Sequence, residues 1–158
     1  RSGALVAGAI MDALYVWNGM SGNFLTWMSM KAAIVALAFL PDGGRIVVVT
    51  TLAAVVWDIP SGRSLRVLEN SGRMLRARLA TAGRIVAACG LSLLQGGWPM
   101  SQGTLRLRTS VWDILTGRLL HTEFADGGAT EASGYLSCSV AVAPEGSIEE
   151  WLAPARAV

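Results

Sequence analysis

Val16-Trp17-Asn18-Gly19-Met20-Ser21-Gly22, Val56-Trp57-Asp58-Ile59-Pro60-Ser61-Gly62 and Val111-Trp112-Asp113-Ile114-Leu115-Thr116-Gly117 are three copies of one pattern. In each, Val precedes the Trp, Asn or Asp follows it, Gly stands five positions after it, and a Leu (Leu25, Leu65, Leu120) stands eight positions after it. The tryptophans are 40 and 55 residues apart, a period at which repeats build propellers or solenoids. The longer interval calls for an insertion. Residues 91–104, with Gln95-Gly96-Gly97-Trp98-Pro99 and Gln102-Gly103, supply it and have turn composition.

Outward from each Trp, β-branched and apolar runs of five to seven residues alternate with Gly, Pro, Asp and Ser, and no helical period is sustained. The clearest unit spans 33–69: strands at 34–39, 45–50, 53–59 and 64–68, with turns at Pro41-Asp42-Gly43-Gly44 and Pro60-Ser61-Gly62. Pro at a turn corner and Gly where φ must be positive are the chemistry of tight hairpins. A second unit at 74–124 carries the insertion at 91–104. A partial unit at 4–28 lacks its first strand, and another at 135–158 opens with a strand and Pro144-Glu145-Gly146. The expected fold is all-β: one partial β-propeller over 1–158, made of four-stranded antiparallel blades, two whole and two partial.

Hydrophobic residues make up 53% of the 158-residue chain and charged residues 15%, enough apolar surface for an extensive core. Membrane spans are disfavoured, because the most apolar stretch, 32–57, is cut by Pro41-Asp42-Gly43-Gly44-Arg45. Strands covered on both faces explain the same hydropathy. The net charge of +2 predicts no strong whole-chain attraction to nucleic acid. Cys89 and Cys138 sit in apolar or small-residue runs without metal spacing and are expected to be buried thiols. With no secretory leader or glycosylation acceptor in view, an intracellular setting is the default expectation. A start at Arg1 rather than Met fits a processed product or an excised part of something longer.

The segment Leu37-Ala38-Phe39-Leu40-Pro41-Asp42-Gly43, followed by Val56-Trp57-Asp58-Ile59 and Ser61-Gly62, resembles the WD40 repeat family. The likeness covers most of residues 4–146 and rests on three matched Trp contexts and two matched proline turns. It implies blades closing radially into a ring. The family's Gly-His dipeptide is absent from every unit, so the resemblance implies divergent blades held mainly by apolar packing. About three blade equivalents do not complete a ring of four to eight. Open blade faces are therefore expected, to be covered by further blades of the same propeller or by other protein chains.

The residues offer little chemistry. His121 is the single histidine and Lys31 the single lysine, and nucleotide-loop, zinc and calcium patterns are missing. No catalytic, cofactor-binding or metal-binding residue is assigned. Trp17, Trp57 and Trp112 are expected to fill the space between blades, with Asp58, Asp113, Gly22, Gly62 and Gly117 shaping the turns. Candidate partner contacts are Trp98 in the insertion and Arg76, Arg78, Arg106 and Arg108. These arginines alternate with apolar residues, giving each strand one basic face suited to an acidic protein. The sequence therefore reads as a non-catalytic scaffold or interaction module of a larger assembly. The alternative is a substrate-binding or enzyme-associated propeller segment whose catalytic part lies elsewhere.

Overall fold

The computed structural model describes residues 4–69, 73–94, 104–125, 138–142 and 148–152. Every regular element among them is a β-strand. Blade 1 comprises β1 (Leu5–Ile10), β2 (Ala13–Asn18) and β3 (Phe24–Ser29). Blade 2 comprises β4 (Ile34–Phe39), β5 (Arg45–Thr50), β6 (Ala54–Asp58) and β7 (Arg63–Val67). Blade 3 comprises β8 (Met74–Ala82), β9 (Ile85–Leu94), β10 (Thr104–Asp113) and β11 (Leu119–Ala125), and blade 4 is the hairpin β12 (Cys138–Val142) and β13 (Ile148–Leu152). Each blade is an antiparallel meander with its strands in sequence order.

Blade 2 shows why the Ile46-Val47-Val48-Val49 run is unbroken: all four side chains are buried, alternately against blade 1 and blade 3. Ile46 and Val48 join Leu14, Val16 and Met28 of blade 1, with Leu37, Phe39 and Trp57, in one core. Val47, Val49, Ala54 and Val56 join Met74, Val86, Ala88 and Trp112 of blade 3 in a second. The inner strands form a row: β4 lies beside β8, and β8 beside β12.

The repeated motif has one geometry in all three copies. Across each outer hairpin the pairing slips by one residue: Val16 faces Thr26 and Trp17 faces Phe24, Val56 faces Arg66 and Trp57 faces Ser64, Val111 faces His121 and Trp112 faces Leu119. The residue left over is Leu25, Leu65 or Leu120, so the recurrent leucine is the extra residue of a β-bulge, and all three are exposed. Gly22, Gly62 and Gly117 take φ of 71°, 64° and 75°, the left-handed region in which a Cβ is strained.

Two features differ from the sequence reading. The insertion does not span 91–104 as a loop: β9 runs on to Leu94 and β10 begins at Thr104, so part of the added length extends a strand pair. Trp98 lies outside the described residues. Cys89 is buried but disulfide-bonded, not a thiol. Linear spacing concealed this because the partner of a strand cysteine is set by the fold and not by its neighbours in sequence.

Candidate interaction surface

The turn following each Trp is held by the residue after it. Asn18 Oδ1 accepts the N–H groups of Met20 and Ser21 at 2.9 and 3.0 Å. Asp58 Oδ2 accepts Ser61 N–H at 2.9 Å, and Asp113 Oδ1 accepts Leu115 N–H at 2.9 Å. A side-chain oxygen two or three residues before an amide closes such turns whether or not it is charged, which is why Asn18 serves as well as Asp. Asp113 also binds Arg84, whose Nε donates to Oδ1 at 3.2 Å while Nη2 pairs with Oδ2. The Arg84 guanidinium holds the Asp113 carboxyl down at a pKa of about 2.

The three tryptophans share local sequence but not surroundings. Each projects from its blade toward the side of the preceding one, opposite the valine before it. Trp112 is fully buried against blade 2, and its Nε1–H donates to Glu69 O at 2.7 Å. Trp57 packs part-buried against blade 1, and its buried Nε1–H has no hydrogen-bond acceptor among the described residues. Trp17 faces away from blade 2, where no described blade stands. It stacks on Tyr15 with ring centroids 6.0 Å apart and meets the Phe24 ring edge-on at 6.3 Å. Register places Val6 and Trp27 on this same face, 52% and 58% exposed. Val6, Tyr15, Trp17, Phe24 and Trp27 thus make one largely aromatic sheet face that no described residue of another blade covers. Sequence reasoning expected open blade faces but missed four of these five residues, because which face of a strand they share is set by the pairing register.

The four partner-candidate arginines do not form one basic surface. Pairing of Arg76 with Leu91 and Arg78 with Cys89 puts these two on the side of blade 3 turned from blade 2, where both are exposed. Arg106 pairs with Ser92 and Arg108 with Gly90, on the opposite, Trp112-bearing side. Arg108 is buried; its Nε donates to Ser110 Oγ at 2.8 Å, and its guanidinium lies over the Phe124 ring, 5.6 Å from the centroid. Burial pulls its pKa below the usual arginine value. His121 and Glu123 share an exposed strand face, 3.9 Å apart. Among the described residues no group of three or more His, Cys, Asp and Glu converges, and no helix is long and apolar enough to cross a membrane.

The chain is similar in structure to hydrazine synthase of Kuenenia stuttgartiensis (TM-score 0.65, 13% identity), covering 93% of this chain and 40% of that one. It is similar to the WD40 domain of Toxoplasma gondii coronin (TM-score 0.62, 11% identity; 89% and 34%). It is also similar to the complex of KlAtg21 with the coiled-coil of AgAtg16 (TM-score 0.60, 16% identity; 94% and 45%). The fold is a WD40-like partial propeller. It spans less than half the length of each of these chains. No family model and no curated protein sequence matches it.

Proposed function

We propose that the chain is a non-catalytic scaffold, a WD40-like interaction module working inside a larger protein or multi-subunit assembly. The observation that carries this reading is the uncovered face of blade 1, since exposed aromatic clusters of this kind are what interfaces bury. The complex of KlAtg21 with the coiled-coil of AgAtg16 among its structural neighbours is in keeping with it. Either further blades of the same propeller or another protein chain would cover that face. Arg76 and Arg78 are the exposed basic pair for an acidic protein; Arg106 and Arg108 sit on the other face, and Arg108 acts on its own blade. The alternative, an enzyme-associated propeller segment with catalysis elsewhere, draws on the likeness to hydrazine synthase.

Sedimentation velocity and binding of an apolar dye to the purified chain test the scaffold reading. Self-association and dye binding, both suppressed by Trp27→Glu, are expected; a monodisperse monomer that binds no dye would overturn it. For the basic pair, Arg76→Glu with Arg78→Glu should abolish salt-sensitive binding to an acidic polypeptide. Equal binding by the reversed variant would sink that assignment.

A further inference from the structure

The two ends of the strands treat one backbone conformation differently. At the end that holds the turns after β2, β4, β6, β8 and β10, the left-handed positions are all glycine: Gly22, Gly43, Gly62, Gly83 and Gly117. At the other end, among the described residues, they are Met11 (φ 55°), Lys31 (φ 59°) and Arg73 (φ 58°). A Cβ is strained in this region, and glycine would relieve it. All three side chains are exposed, Met11 at 80%, and among the described residues Lys31 and Arg73 enter no ion pair. What they contribute lies outside the fold, and uncommon backbone of this kind collects at functional surfaces.

Hydrogen bonds tie these segments into one surface. Met30 N–H donates to Asp12 O at 2.8 Å and Ile34 N–H to Met11 O at 2.7 Å, so the linker 30–33 lies along the turn between β1 and β2. Thr51 N–H donates to Ala33 O at 2.9 Å, which sets the turn between β5 and β6 beside that linker. Leu68 N–H to Ala54 O at 2.9 Å and Ser92 Oγ to Arg73 O at 3.2 Å carry the series on to blade 3. Its tips are apolar: Ile10 and Leu52 are 69% and 64% exposed beside Met11. Two carboxylates of these segments are engaged within the fold. Asp12 is half-buried and accepts the Ser29 hydroxyl at 3.1 Å, and Glu69 turns to Leu119 N–H at the opposite end of blade 3. Lys31 and Arg73 are the exposed charges that stand among the apolar tips.

We propose that this end of the blades rests on a membrane surface with anionic headgroups. Ile10, Met11 and Leu52 enter the interface, and Lys31 and Arg73 meet the phosphates. Apolar side chains on protruding turns suit a yielding layer, whereas a folded protein would need a matching pocket for each tip. Cations interleaved with apolar residues complement a headgroup layer lying over acyl chains, and such binding grows with the apolar area inserted and with each basic side chain at the surface. Blades that complete a ring stand beside blades 1 and 4 and leave this end open. The proposal goes beyond the interaction-module reading, which concerns the blade faces, and does not depend on it.

The test is sedimentation of the whole chain with vesicles of equal parts phosphatidylcholine and phosphatidylserine, against vesicles of phosphatidylcholine alone. Partition into the mixed vesicles should be at least about tenfold stronger and should fall as salt rises. Met11→Gly, Lys31→Gly and Arg73→Gly together relieve the left-handed strain, so this variant should melt no lower than the parent yet lose at least about tenfold in partition. Leu52→Ser should weaken binding to both vesicles. Trp27→Glu should leave it unchanged. Full binding by the triple glycine variant would overturn the proposal, as would no binding to either vesicle, or binding that Trp27→Glu removes. Capture of an acidic polypeptide, lost in the triple variant, with no vesicle binding would overturn it in favour of a protein partner at this end. Self-association through Trp27 reports on the interaction-module reading separately, whichever way the vesicles decide.

Discussion

The seam between blades 1 and 2 and the seam between blades 2 and 3 are built from the same motif to different standards. At the second, residues 68–73 join the blades, and Glu69 reaches across: its N–H donates to Gly117 O at 2.9 Å, its carbonyl accepts the Trp112 indole, and its carboxylate accepts Leu119 N–H at 3.2 Å. Arg66 Nη1 donates to Thr116 O at 2.8 Å, and Thr81 Oγ1 to Phe39 O at 3.1 Å. At the first seam the joining residues are 30–33, two fewer, and the Trp57 indole finds no acceptor among the described residues. Apolar contact and one backbone bond, Ile34 N–H to Met11 O at 2.7 Å, set blade 2 against blade 1; the longer linker at the second seam adds further polar locking.

Truncating the tryptophans should expose this contrast most strongly. Trp112→Ala opens a cavity in a closed core and leaves Glu69 O unpaired, costing about 3–5 kcal/mol in denaturant melts. Trp57→Ala, at a part-exposed site, should cost about 2 kcal/mol. Equal costs would show that the seams are equivalent. The turn glycines come next. Ala at Gly62 meets nothing within 4 Å and bears only the left-handed backbone penalty, about 1–2 kcal/mol. At Gly117 the added Cβ would stand 2.5 Å from Arg66 Cδ, so the arginine must leave Thr116, adding about 1–3 kcal/mol. Matching melting curves for Gly62→Ala and Gly117→Ala would refute the lock.

These contrasts show what the sequence could and could not reveal. Period, strand runs and the positive-φ glycines were legible because each reports on a few neighbouring residues. The recurrent leucine was visible, but its role as a bulge residue needed the pairing register. Alternation correctly separated arginines from apolar neighbours on β8 and β10, yet the direction in which each face points depends on the partner strand; Arg76 and Arg106 accordingly lie on opposite sides. Trp17 and Trp112 have nearly the same local sequence and opposite fates, because burial was decided by what stands before the blade. The disulfide at Cys89 was hidden for the same reason.

A smaller effect isolates the indole N–H. Trp→Phe removes similar ring volume at both sites, but only at 112 does it strand a carbonyl that was paired. The variant at 112 should be less stable than that at 57 by about 1–3 kcal/mol. A difference near zero would mean that the Glu69 bond adds nothing net.

The smallest effect is electrostatic and belongs to blade 3. Arg84 sets the Asp113 carboxyl at about 2, below its ordinary 3.8. A carboxyl depressed in the folded state binds protons more readily when unfolded, so its contribution is complete above about pH 5 and is lost as pH falls from 4 toward 2. Burial raises the Asp42 pKa, but Arg45 and the turn amides outweigh it and lower the carboxyl, so Asp42 contributes to the same acid limb. Because Arg84 is largely exposed, water and salt screen the pair and the slope should be shallow. Asp113→Asn and Arg84→Met should each flatten the fall in urea midpoint between pH 5 and pH 3 without abolishing it. If both variants kept the full slope, the acid sensitivity would belong to Asp42 or to another carboxyl, and blade 3 would differ from blade 2 only in its linker.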